Sequence, residues 1–267
     1  GNLEKAHTSF KEAYGISMKS GDSFGRLCAL GNSGSLLLAQ GEPDEALQSW
    51  QYALDGLAEM PCGAALARAL DGVGCALAAK KEYSRALNHH RRALKIFRKH
   101  RDIIGTAGAL ANIGRAYAGL GRRWSALRAY RRALKLANRH GYIIGQARVH
   151  ADMGLLHAKV GKLEDALRSA EIALKLYRQV NHPLGVARHL GDIASIFASQ
   201  RKQKEALKKL EEARDGFQKA GANPAEYRAL EKKIKLALGG IADNGFKEKR
   251  AERRAPAAAS VQEGGAP

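Results

Sequence analysis

Apolar and polar residues alternate along this chain with a helical period, and the alternation itself recurs. Alanine stands at residues 6, 46, 86, 126, 166 and 206, and again at 13, 53, 93, 133, 173 and 213, so two marks seven residues apart return every 40 residues without a gap. Leucine follows the first mark at Leu47, Leu87, Leu127, Leu167 and Leu207 and the second at Leu54, Leu94, Leu134 and Leu174. Between the marks, small residues stand at Gly34, Gly74, Gly114, Gly154 and Ala194. Four places earlier come Leu30, Leu70, Leu110, His150 and Leu190, and three places later Leu37, Leu77, Tyr117, His157 and Phe197. Spacings of three, four and seven share one face of an α-helix. Each unit is therefore expected to be two amphipathic helices, and the whole to be an array of such pairs.

A glycine costs a helix interior up to about 1 kcal/mol against alanine. Its return at every unit points to a steric need, where two helices cross closely and a bulky neighbour fills the remaining space. The pairs are expected at roughly 23–58, 64–99, 104–139, 143–179 and 183–219. Glu42-Pro43-Asp44, Asn181-His182-Pro183 and Asn223-Pro224 place proline in a first turn, the last two at or near a capping asparagine. Gly41, Gly121 and Gly161 sit where one helix must stop.

"NIGRAYAGLGRRWSALRAYRRAL" (112–134) and "DMGLLHAKVGKLEDALRSAEIAL" (152–174) carry small-x-x-bulky followed by two alanines that flank a bulky place. This pattern resembles the tetratricopeptide repeat family. The family unit is about 34 residues; the 40-residue period, with "IIGTAGALANIG" ahead of the first helix core, is similar to the Pins/LGN-like subclass. His150, Ala170 and Ala194 depart from the pattern and are expected to weaken single crossings. The resemblance implies an all-α fold, a right-handed α-solenoid of stacked antiparallel helix pairs. The array is expected over 1–222, opening with a half repeat at 1–20 whose first helix is missing, as in a fragment. A polar-faced helix at 223–238 would close the stack, and the small and charged residues of 239–267 would form a disordered tail.

Stacked pairs of this family curve so that the first helix of each pair lines a groove, which suits a peptide from a protein partner. The resemblance assigns ligand contact to polar residues just before the small crossing residue: Asn32, Asn112, Asp152 and Asp192, with Gly72 breaking the series. Arg68, Arg148 and Arg188 lie one turn earlier, and Arg115 one residue after its crossing glycine. Arginine binds carboxylates bidentately, so an acidic peptide is the natural guest. The plainer alternative pairs Arg148 with Asp152 and Arg188 with Asp192 as ordinary i,i+4 contacts.

Charge adds a second candidate surface. The chain carries a net +19, yet residues 1–80 hold 6 basic and 9 acidic side chains while residues 81–140 hold 16 and 2. Arg91-Arg92 and Arg131-Arg132 occupy equivalent places in adjacent units, joined by Arg85, Lys95, Arg98, Lys99, Arg122, Arg123, Arg128, Lys135 and Arg139. Such a patch at 85–139 could bind nucleic-acid phosphates, anionic lipid heads or an acidic protein; a solvated helix face is the bland alternative, although that would interleave the signs. No nucleic-acid recognition motif accompanies it.

The remaining chemistry is sparse. There is no Gly-rich phosphate loop, GxSxG or HExxH, so neither an enzyme nor a cofactor is expected. Cys28, Cys62 and Cys75 lack metal-ligand spacing and are expected to be free thiols. His150 and His157 are expected to be structural rather than metal ligands. No stretch has the length of a transmembrane span, and the chain reads as intracellular and cytoplasmic; "KEKRAERR" (247–254) is a candidate nuclear import signal, equally well explained as a solubilising basic tail.

Overall fold

The structure is a computed structural model and describes residues 3–221 together with 227, 228, 230–232 and 234. Eleven α-helices follow one another among the described residues: α1 (Leu3–Ser20), α2 (Ser23–Gln40), α3 (Pro43–Ala58), α4 (Gly63–Ala79), α5 (Tyr83–Lys99), α6 (Ile103–Gly119), α7 (Arg123–Arg139), α8 (Ile143–Lys159), α9 (Leu163–Gln179), α10 (Pro183–Ser199) and α11 (Gln203–Lys219). Each packs on its neighbours in sequence, and α2–α3, α4–α5, α6–α7, α8–α9 and α10–α11 form the tight pairs. The result is an all-α solenoid. The helix expected at 223–238 falls largely, and the tail expected at 239–267 wholly, outside the described residues; Tyr227, Leu230 and Ile234 pack against the last pair.

The two alanine marks explain the regularity. Ala46, Ala53, Ala86, Ala93, Ala126, Ala133, Ala166, Ala173, Ala206 and Ala213 are all 0% exposed. A methyl is all that fits where a second helix presses on its own first helix and on the next pair, and the following leucines fill the flanks. Gly34, Gly74 and Gly114 each lie beneath the bulky residue of the partner helix. A Cβ on Gly34 would meet the Trp50 ring at 2.7 Å, one on Gly74 the His90 ring at 2.6 Å, and one on Gly114 the Tyr130 ring at 2.4 Å. At Ala170 the bulky residue is missing, and the α9 backbone itself occupies the space, 3.2 Å from a Cβ built on Gly154.

Successive turns keep a 20-residue rhythm finer than the sequence period. Gly21, Gly41, Gly121, Gly141, Gly161 and Gly221 take positive φ, and so do Lys81, Arg101, Asn181 and Arg201. At the α4–α5 turn the Lys81 N–H donates to Ala78 O at 3.0 Å and the Glu82 N–H to Leu77 O at 2.9 Å. That pair of bonds is the Schellman end, which needs a left-handed residue at its apex. The α3–α4 turn differs because Pro61 holds the apex place, and its ring cannot reach positive φ. Pro43 and Pro183 open α3 and α10 as expected. The cap at α10 is not Asn181, however: Asn181 is the left-handed residue (φ 49), and His182 Nδ1 accepts the Gly185 N–H at 2.9 Å.

Curvature follows from which helices touch. Consecutive first helices meet directly, α2 on α4, α4 on α6, α6 on α8 and α8 on α10, whereas no comparable contact joins consecutive second helices among the described residues. First helices therefore line the inner, concave side and second helices spread on the outside.

Candidate functional site

Where α4, α6 and α8 converge on the concave side, the chain leaves a cleft of about 520 Å³. Its polar lining includes His90, Asn112, Arg115, Arg148, Asp152 and Lys159, set among Leu38, Leu155 and Leu156. The position just before a crossing glycine projects from a first helix into this space, which is why Asn112 and Asp152 both reach it.

These side chains are linked rather than independent. Asp71 of α4 accepts from the Asn112 amide at 2.7 Å through Oδ2, and its Oδ1 lies 2.6 Å from His90 Nδ1. The Asn112 amide oxygen accepts from Arg115, and Arg115 Nε lies 3.6 Å from Asp152 Oδ2. A polar chain thus runs His90, Asp71, Asn112, Arg115, Asp152 across three repeats. Asn112 is 4% exposed, so it positions Arg115 more than it meets solvent. Arg115 and Arg148 are exposed at the cleft mouth.

Burial sets the electrostatics. It holds the Asp152 carboxyl above the usual carboxylate range, against the lowering pull of Arg115 and Arg148. Burial, aided by Asp71, pushes the Cys75 thiol up to about 12, so that thiol is a neutral wall of the cleft and not a nucleophile. Tyr130 behaves likewise, its phenol raised by desolvation and then by Asp152.

The other groove residues flank this centre. Asn32 and Arg68 are exposed on α2 and α4, and Arg188 is exposed on α10. Asp192 lies 2.8 Å from His189 Nδ1, and the His189 ring stacks on Tyr177 at 4.9 Å. Asp152 thus has Arg115 beside it, with Arg148 also acting on its charge, and Asp192 has His189. Gly72 breaks the series for a packing reason, since a Cβ there would meet the Trp50 ring at 2.3 Å. The carboxylate that serves this repeat is Asp71, one place earlier, which sequence reasoning passed over; its signal was an acidic residue on α4, whose one other charged residue is Arg68.

The second candidate surface lies on the outer helices. Arg85, Arg91, Arg92, Lys95, Arg98 and Lys99 are exposed on α5, and Arg128, Arg131, Arg132, Lys135 and Arg139 on α7, with Arg122 just before it. Arg91 donates to the Tyr117 hydroxyl at 2.6 Å. Arg123 is half-buried over the Trp124 ring, 4.7 Å from its centroid. His150 and His157 are half-buried. Among the described residues no group of His, Cys, Asp or Glu is arranged to hold a metal, and no helix is long and apolar enough to cross a membrane.

A tetratricopeptide repeat profile matches residues 25–99 and 145–219, and a second profile of the same description matches residues 106–140. Together they span well over half of the chain. A search of curated proteins gives no match. Among solved structures, the chain is similar to a Rap protein complexed with competence and sporulation factor, with TM-score 0.71 and 16% identity over 86% of this chain and 64% of that one. It is similar to NprR in complex with its cognate peptide NprX, with TM-score 0.67 and 18% identity over 95% and 70%. Aspartyl phosphate phosphatase F from Bacillus subtilis aligns with TM-score 0.66 and 16% identity over 89% and 64%. The chain thus spans less than two thirds of the length of two of these three.

Proposed function

Because the chain belongs to the tetratricopeptide repeat family, we propose that it is a protein-interaction scaffold, an adaptor that holds a peptide segment of a partner against its concave face. The observation that carries this reading is the linked chain Asp71, Asn112, Arg115, Asp152 beside the cleft of about 520 Å³. Arg115 and Arg148 take carboxylates of an acidic peptide, and Asp152 accepts its backbone N–H groups. Asn112 and Asp71 hold Arg115 in place. Asn32 and Arg68 extend the contact toward α2, and Arg188 and Asp192 toward α10.

NprR, a structural neighbour solved in complex with its cognate peptide, supports a peptide as the guest of this chain. A phosphatase on the same fold shows that fold alone does not fix activity. We read this chain as a binder without a catalytic centre, because Asp71 and Asp152 are each engaged by neighbouring side chains and the one thiol in the cleft is kept neutral. We read the protein as cytoplasmic, a reading that its three free cysteines support, since they suit a reducing compartment. The 40-residue period and 17-residue helices support the Pins/LGN-like subclass. We retain an array over 1–222, a capping helix at 223–238 and a tail at 239–267.

The test is selection of binding peptides from a displayed random library, followed by affinity measurements on Asn112→Ala with Asp152→Ala. Enrichment of acidic peptides, lost with the double variant, is the expected result. Peptides that bind the double variant as tightly as the parent chain would reject the reading.

A further inference from the structure

The outer face of α7 has a feature that charge counting misses. Trp124 is 72% exposed, an unusual exposure for so large an apolar ring. Arg123 lies over the ring at 4.7 Å from its centroid and steadies it. Trp124, Arg128, Arg131, Lys135 and Arg139 follow one another at spacings of four and three, so the ring heads a single cationic stripe roughly 22 Å long. Beside it, Trp124, Leu127, Arg128, Arg131, Arg132 and Lys135 enclose a shallow cavity of about 330 Å³, with no acidic residue in its lining.

Little of the charge in this region is neutralised internally. Residues 81–140 hold two acids: Glu82 pairs with Arg85 at 2.5 Å, and Asp102 accepts from the Gly105 N–H at 2.7 Å to cap α6. Among the described residues, Arg92, Lys95, Arg98, Lys99, Arg122, Arg128, Arg131, Arg132, Lys135 and Arg139 form no ion pair.

We infer that this stripe binds a single-stranded polynucleotide, whose phosphates run along Arg128, Arg131, Arg132 and Lys135 while a base stacks on Trp124. A row of cations beside an open aromatic face is what a single strand needs, since its bases present free π-faces. A duplex offers the ring nothing to stack on. An anionic membrane would draw on several apolar side chains at the same level, but the places equivalent to Trp124 are Asp44, Ser84, Glu164 and Lys204.

The experiment uses the full chain with a fluorescent oligonucleotide, as RNA and as DNA, against the duplex of the same sequence and against phosphatidylserine vesicles. Single strands should bind best, quench the fluorescence of the exposed tryptophan, and show a log–log salt slope of about −3 for four neutralised phosphates. Trp124→Ala should weaken binding by about 5-fold to 150-fold, with Trp124→Phe intermediate and helical circular dichroism unchanged. RNA and DNA binding alike leaves the sugar unread; a preference for one names the source. Equal affinity for duplex, indifference to Trp124→Ala, binding confined to vesicles, or no binding to single strands at low salt would each overturn the inference.

Discussion

Replacing Gly108 and Gly114 of α6 separately by alanine should move stability in opposite directions. A Cβ on Gly108 meets nothing within 4 Å, so the change keeps only the helix-propensity gain of about 0.8–1 kcal/mol. A Cβ on Gly114 would stand 2.4 and 2.5 Å from two carbons of the Tyr130 ring. That ring is 1% exposed and cannot swing away, so overpacking costs about 1–3 kcal/mol. Set against the same propensity gain, the net loss reaches about 2 kcal/mol. Thermal unfolding followed by helical circular dichroism reads both, at about 2–4 °C per kcal/mol for a chain near this size. In a Tyr130→Ala background the Gly114→Ala penalty should vanish and its sign reverse, because the colliding ring is gone. Equal stabilisation by Gly108→Ala and Gly114→Ala in the parent chain would refute the crossing argument.

Lys81→Gly and Arg201→Gly should each raise the urea midpoint, since the left-handed apex costs an L-residue about 1–2 kcal/mol and glycine's extra chain entropy returns only about 0.5–1 kcal/mol of that; a fall in the midpoint would contradict it. Asp71→Ala leaves buried His90 and Asn112 without their acceptor, a loss of about 1–3 kcal/mol for each orphaned group, and a chain of unchanged stability would show that the polar chain is not structural. The Asp152 carboxyl is held above its usual range in the folded chain, so its contribution favours folding fully below the unfolded pKa and is lost as pH rises through the folded value. Asp152→Asn should therefore be more stable than the parent at neutral pH, with the advantage shrinking on acidification; an advantage that grows toward acid would reverse the assigned sign.

The 40-residue rhythm was readable because the five complete pairs meet the same steric demands, a methyl at both alanine marks and, wherever a bulky residue stands opposite, a small one beneath it. The turns were only half readable. Glycine announced Gly41, Gly121 and Gly161, while Lys81, Arg101 and Arg201 adopt the same left-handed backbone without a glycine to mark it, held by the Schellman bonds. Asp71 escaped because the family pattern points to residue 72, and the Trp50 ring that forbids a side chain there belongs to the preceding repeat. Stepping back one residue along α4 turns the carboxylate toward His90 and Asn112, a relation only the packed helices reveal. Trp124 was visible in the sequence beside the arginines, but its exposure depends on α7 turning that place outward.

The central claim is that ligand lies on the concave side, and a photo-crosslinking residue can report it directly. Placed at Leu155, which is exposed in the cleft, it should capture a selected acidic peptide. Placed at Tyr52, exposed on the outer helix α3, it should capture none. Crosslinking at residue 52 with nothing at residue 155 would contradict the account.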